Sequence, residues 1–205
     1  MSNSTAVDST STGRQPDADE RALLQRIARG DEKALARFYD RYIDSVYRFV
    51  YHQVGGHRQD AEDVTQDTFI AALNSLKSFR GDSRVYVWLC GIAWRKASDL
   101  RRRRDHANTP QPTAEDELLE FGSAADQLTV EEIAEREAVR RRVWRALQAL
   151  PKHYGQVLRL KYLEGFKVSE IALIMGKTEK AVESLLTRAR DAFRAQLDDK
   201  ITSSE

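Results

Sequence analysis

The chain has 205 residues, of which 41% are hydrophobic, and its 33 Lys+Arg nearly cancel its 32 Asp+Glu to leave a formal net charge of +1. This length supports one or two small domains, and no apolar run approaches the ~20 residues of a membrane span. The single cysteine, Cys90, has no partner for an internal disulfide, and His52, His57, His106 and His153 lack the spacing of metal ligands. The neutrality is a cancellation of blocks: −3 over residues 1–20, 0 over 21–76, +7 over 77–104, −9 over 105–137, +8 over 138–197 and −2 over 198–205. Alternating charge blocks of this size point to a polyanionic partner.

Residues 1–19 are rich in Ser, Thr and Asp without an apolar stretch, and read as a tail rather than a secretory or transit peptide. Cytoplasmic residence is the expectation. Downstream, Gly and Pro are sparse and apolar residues recur at three and four, the helical period. An all-α protein is predicted, with two small helical domains joined by a flexible acidic linker. A short helix near 20–29 precedes one over 35–50, whose stripe of Leu35, Phe38, Tyr39, Tyr42, Val46, Phe49 and Val50 ends at Gly55-Gly56. The next helix starts at Asp60, read as its N-cap, and buries Val64, Thr68, Phe69, Ala72, Leu73 and Leu76. A third, from about Val85 to Arg104, turns Val85, Trp88, Leu89, Ile92, Ala93 and Leu100 inward. Together these elements make a first domain over 20–105.

Residues 106–134 carry Pro110, Pro112 and the acidic run Glu115-Asp116-Glu117, and read as linker. A second domain over 135–197 follows. Val139, Val143, Ala146, Leu147 and Leu150 make a stripe stopped by Pro151, and Tyr154, Val157, Leu158 and Tyr162 make another stopped at Gly165. Val168–Met175, Gly176 and a longer helix with Val182, Leu185, Leu186, Ala189 and Phe193 on one face complete a four-helix unit before a tail at 198–205.

The stretch from Val168 to Arg190 has the spacing of a helix-turn-helix, with Glu170-Ile171-Ala172 on the first helix and Gly176 at the turn. The second helix of that motif offers its N-terminal residues to base edges while flanking cations hold phosphates. Thr178, Glu179, Lys180, Ala181 and Ser184 are the candidate readers, and Arg188 and Arg190 the phosphate contacts. A plain helical hairpin with a glycine corner has the same outline, and it is the surrounding +8 block that favours DNA. Two acids, Glu179 and Glu183, repel phosphate unless they accept from a cytosine amino group.

A second block, Lys77 to Arg104, mixes cations with Phe79, Tyr86, Trp88 and Trp94, a composition suited to unpaired nucleic acid. Trp88 falls on the inward stripe and reads as core. Trp94 lies on another face beside Arg95 and Lys96, where it offers a base-stacking surface. The run Arg101-Arg102-Arg103-Arg104 exceeds what a helix C-terminus needs to complement its dipole. A third signal is the acidic edge of Asp60, Glu62, Asp63 and Asp67, spaced for one helix face. No histidine, nucleophile or phosphate loop accompanies it, so docking onto a basic protein surface is favoured over catalysis. Neither enzymatic activity nor a cofactor or metal is expected.

Asp60-Ala61-Glu62-Asp63-Val64-Thr65-Gln66-Asp67-Thr68-Phe69, Phe79-Arg80-Gly81-Asp82-Ser83, Val87-Trp88-Leu89 and Asp99-Leu100-Arg101-Arg102 resemble region 2 of a bacterial RNA polymerase sigma factor. Leu150-Pro151, Glu164-Gly165, Glu170-Ile171-Ala172, Gly176, Ala181-Val182-Glu183-Ser184 and Arg188-Ala189-Arg190 resemble region 4. With no domain between the two, the chain is similar to the extracytoplasmic-function (ECF) class. The resemblance implies core-polymerase docking through Asp60, Glu62, Asp63, Gln66 and Asp67. It implies minus-10 and single-strand contacts by Phe79, Arg80, Asp82, Ser83, Trp94, Arg95, Arg101 and Arg102, with a flipped base captured by the loop. It further implies minus-35 reading by the helix-turn-helix, a linker threaded into the polymerase channels, and a stress or envelope-response regulon held by an anti-sigma factor. Cys90, Gly91, Arg95, Ala181, Glu183 and Leu185 depart from residues common in the family at those positions. Cys90 reads as a small buried residue. The rival from another class is a two-domain regulator whose first domain senses or dimerises and whose second alone touches DNA.

Overall fold

The computed structural model describes residues 16–106 and 130–202. Readings made above for the tails at 1–15 and 203–205, and for the linker between 107 and 129, lie outside those residues. Helix α1 (Ala18–Ala28) is started by a capping box, with the Glu20 amide donating to Asp17 Oδ1 at 2.6 Å and the Asp17 amide to Glu20 Oε2 at 3.2 Å. Asp31 caps α2 (Glu32–Gln53), and the Ala34 amide and then the Arg26 side chain hold its carboxyl below the usual range. Along α2, Ala34, Phe38, Tyr42, Val46, Phe49 and Val50 are buried at helical period. Tyr39, expected on that stripe, is instead 46% exposed.

Helix α3 (Arg58–Ser75) is capped by His57, whose Nδ1 accepts from the Asp60 amide at 3.4 Å; the start predicted at Asp60 lies one turn too late. Its inner face is Ala61, Val64, Thr65, Thr68, Phe69 and Ala72, while Leu73, predicted inside, is exposed. A single 3-10 turn (Leu76–Ser78) and a loop through Gly81 lead into α4 (Val85–His106). The first half of α4 is buried nearly all round: Val85, Val87, Leu89, Cys90, Gly91, Ile92, Ala93 and Trp94 all lie inside. A helix with that distribution is a central element rather than an amphipathic one. Helices α2 and α3 pack on one side of it and the second unit on the other.

That second unit opens with α5 (Val130–Ala149), which begins inside the stretch read as linker. Val139 and Val143, predicted inward, are exposed there, and Ala146 and Leu150 carry the packing. Helix α6 (Lys152–Leu158) runs into a π turn (Arg159–Leu163) that ends near Gly165. The extra residue of a π turn rotates the exit of the helix, and Tyr162, predicted to be buried, is 60% exposed. Next, α7 (Val168–Met175) ends at Gly176 in the left-handed region (φ 63°), where Lys177 N–H donates to Ala172 O at 2.9 Å. Helix α8 (Glu179–Thr202) follows and packs on α5, α6 and α7. One hydrophobic cluster runs through both units, from Phe38 and Phe69 through Leu89 to Ile171 and Leu186.

Candidate nucleic-acid and polymerase interfaces

Exposure along α8 follows its period. Val182, Leu185, Leu186 and Ala189 are buried, whereas Thr178, Glu179, Lys180, Ala181, Ser184, Arg188 and Arg190 all face outward. Thr178 Oγ1 accepts from the Ala181 amide at 3.2 Å, which closes the first turn of α8. Arg190 Nε donates to Leu186 O at 3.2 Å and its Nη2 to Thr187 Oγ1 at 3.3 Å, while Arg188 Nε donates to Ser184 O at 3.4 Å, so both exposed guanidinium groups lie along the helix. Lys177, in the turn itself, is exposed beside Thr178 and extends the basic edge. Its place before the start of α8 keeps it out of the helical pattern that marks the other candidate readers. The departure at Leu185 has a packing reason, since that side chain is in the core.

The aromatic block divides differently from its sequence reading. Trp88, expected in the core, is half-buried, and its ring packs on Phe79 with centroids 4.6 Å apart. Trp94, expected at the surface, is 8% exposed. The Arg101 guanidinium lies 5.5 Å from the centroid of the Trp94 ring and donates to Gln53 O at 2.8 Å and Ser98 Oγ at 2.7 Å. Arg101 is thereby engaged inside the protein, and Ser83 is likewise buried. The outward members of the predicted strand-contact set are Arg80, Asp82, Arg95 and Arg102, with Phe79 at the margin. Arg80 Nε sits 3.4 Å from Asp82 Oδ2, and Arg102 pairs with Asp99. The aromatic surface among these residues is therefore Phe79 on Trp88, and Trp94 is buried under Arg101.

On α3 the acidic edge splits as well. Glu62, Asp63, Gln66 and Asp67 are exposed, and Asp67 lies 3.3 Å from Lys96 Nζ. Asp60 is buried and bound by Arg104, whose Nη2 donates to Oδ1 at 2.7 Å and whose Nη1 lies 2.5 Å from Oδ2. This bidentate pair ties the start of α3 to the end of α4, so Asp60 is a structural residue in this arrangement. Beside the exposed acids lies an apolar groove between α2 and α3, lined by Leu35, Tyr39, Phe69, Ile70 and Leu73 and rimmed by Glu32, Asp40 and Gln66. Sequence reasoning missed this groove by assigning Tyr39 and Leu73 to the core. The available signal was the run Gln66, Ile70, Leu73, which puts two large apolar side chains on the outward face of α3. Among the described residues, no group of three or more His, Cys, Asp or Glu is placed to hold a metal ion.

Comparison with known proteins bears on these surfaces. The Sigma-70 region 2 family model matches residues 38–107, and the Sigma-70, region 4 model matches residues 140–193. The ECF RNA polymerase sigma factor BldN of Streptomyces coelicolor is 33% identical over 203 residues, covering 91% of this chain and 70% of BldN. The chain belongs to the ECF RNA polymerase sigma factors. The ECF RNA polymerase sigma-E factor of Escherichia coli K12 is 32% identical, with 89% of this chain and 94% of that protein covered. Among solved structures, CnrH in complex with the cytosolic domain of CnrY has a TM-score of 0.58 at 28% identity, covering 89% of this chain and 99% of that one.

In this ECF sigma factor the region 2 match contains the acidic edge, the Phe79–Trp88 pair and the groove residues from Tyr39 onward, and the region 4 match contains the helix-turn-helix. The two regions meet along α4 and α7, where Cys90 lies. Its thiol is buried and pushed well above its ordinary pKa, first by desolvation and then by the Glu164 carboxylate. A thiol in that setting is inert packing rather than a nucleophile. Glu164, on the other side of the same contact, has its own pKa raised by burial against the opposing pull of His52, Arg48 and Arg159.

Proposed function

We propose that this sigma factor docks on core RNA polymerase through the α2–α3 face and directs initiation at a two-part promoter. The observation that carries the reading is the outward edge of α8, from Lys177 to Arg190, borne on the same chain as a polar-rimmed apolar groove. Glu62, Asp63, Gln66 and Asp67 supply charge complementarity to a basic partner, and Leu35, Tyr39, Ile70 and Leu73 supply the apolar area that charge alone lacks. Arg80, Asp82, Arg95 and Arg102 track the separated minus-10 strand, with Phe79 against Trp88 as the stacking surface. Thr178, Lys180, Ala181 and Ser184 face the minus-35 major groove, and Arg188 and Arg190 hold its phosphates.

The factor acts as a transcription regulator in the cytoplasm and is held in reserve by an anti-sigma partner. The complex of the related CnrH with a cytosolic domain supports that partner, and no described helix is long and apolar enough to cross a membrane. Run-off transcription from a genomic template library, with core polymerase and this protein, tests the reading. Promoter-dependent transcripts that require the added chain are expected, and their complete absence overturns it.

A further inference from the structure

The outward face of α8 carries one residue more than the predicted readers. Successive residues of a helix turn by about 100°, and the buried side chains of Val182, Leu185, Leu186 and Ala189 fix the inward direction. Opposite them, on one line at the i, i+4 and i+7 positions, lie Lys180, Ser184 and Thr187, all exposed. Ala181 and Arg188 flank that line on one side, Glu183 and Arg190 on the other. From Lys180 to Thr187 the row rises about 10 Å, roughly three base-pair steps at ~3.4 Å each. Asp191 comes next on the same line, with its Oδ1 3.8 Å from Arg194 Nη1, and its carboxylate closes the row to a polyanion.

Thr187 differs from Lys180 and Ser184 in what it has left to offer. Its hydroxyl donates to Glu183 O at 3.1 Å and accepts from Arg190 Nη2 at 3.3 Å. A threonine hydroxyl has a single proton, and here the backbone carbonyl four residues back holds it, a common arrangement for Ser and Thr inside helices. No proton is left for a guanine O6, a purine N7 or a thymine O4. What remains for a base is the γ-methyl, and among the four bases only thymine shows a methyl group, at C5, in the major groove.

We propose that Thr187 is a specificity-determining residue whose γ-methyl packs against the C5-methyl of a thymine in the minus-35 element, while its hydroxyl holds the Arg190 guanidinium beside the phosphates. The inference rests on the minus-35 reading proposed above and adds one base identity to it: an A·T pair under Thr187, with the thymine methyl turned to α8. Contact between two methyl groups removes both from water, and burial of one is worth about a three- to fivefold change in affinity. Cytosine lacks the C5-methyl, and it and the purines leave the Thr187 methyl against a polar edge.

The full-length protein with core polymerase is used to enrich duplexes from a pool randomised across the minus-35 region. Each thymine of the enriched element, on either strand, is then replaced by deoxyuridine, which lacks only the C5-methyl, and affinities are measured by competition. The wild type should bind one substituted duplex about three- to fivefold more weakly than the parent. Thr187→Ser keeps the hydroxyl and removes the methyl, and should bind those two duplexes alike. Thr187→Val keeps the methyl and removes the hydroxyl: it should retain the wild-type preference for thymine while losing affinity for all duplexes together through Arg190. A residue that only stabilised the helix would move every duplex equally in both variants. A wild type that distinguishes no thymine from deoxyuridine, a Thr187→Ser protein that still does so at the same position, or a Thr187→Val protein that does not, overturns the inference. Methyl dependence through Thr187 on an enriched duplex that supports no transcription overturns the initiation reading instead and leaves Thr187 in place.

Discussion

Replacing Asp60 with Asn separates two accounts of the acidic helix. If Asp60 is a polymerase contact, the variant folds normally and binds core polymerase weakly. The bidentate pair with Arg104 gives the opposite expectation. Asp60 and Arg104 are 11% and 23% exposed as side chains and join two helices that begin and end there. Removing one partner of a buried pair costs about 3–5 kcal/mol, which the partial hydration of Arg104 reduces to roughly 2–3 kcal/mol. For a chain of this size, that corresponds to a fall in Tm of about 5–10 °C. Arg104→Ala should cost a similar amount, and the double variant little more than either single one, because the two residues form one interaction. Thermal unfolding followed by circular dichroism measures all three. Asp63→Lys is the contrast: exposed, it should leave Tm within about 1–2 °C while weakening copurification with core polymerase. An Asp60→Asn chain with wild-type Tm and lost polymerase binding would refute the structural assignment.

Three further expectations follow from other sites. Trp94→Ala should lower stability by about 3–5 kcal/mol through the cavity it leaves, whereas Trp88→Ala should cost less in chemical denaturation and fall more heavily on promoter opening by permanganate footprinting. Equal stability losses would contradict this division. Burial raises the Glu164 pKa, so its stabilising contribution is complete below its unfolded value and is lost as pH rises through the elevated folded value. Glu164→Gln should therefore raise Tm at about pH 7.5 and lose that advantage towards about pH 4; a pH-independent difference would exclude the mechanism. Lys177→Ala and Arg188→Ala should each weaken minus-35 duplex binding and reduce the slope of log K against log salt by about 1, and an unchanged slope would remove that residue from the phosphate contacts.

The sequence by itself determined the helical class, the helix-turn-helix and the family, because these rest on local signals. Apolar period, Gly176 at a left-handed turn, and motif residues in fixed order are read over a few turns of chain. The outward edge of α8 was legible for the same reason: one face of an amphipathic helix packs, and the opposite face must meet solvent. Tertiary structure alone decided what lies against a helix with more than one partner. Periodicity on α4 assumes a single buried face, but α7 covers a second one, and so Trp94 goes inside while Trp88 moves to the margin. Asp60 could not be told from Asp63 until Arg104 was brought to it across 44 residues of sequence. Tyr39 and Leu73 read as core from periodicity, and only the packed structure leaves them exposed and lining a groove with Ile70. The ion pair between Arg84 and Glu170 was equally invisible, because the two are 86 residues apart and each is an ordinary charged residue in its own segment. Burial by a distant element is a property of packing, and no local pattern encodes it.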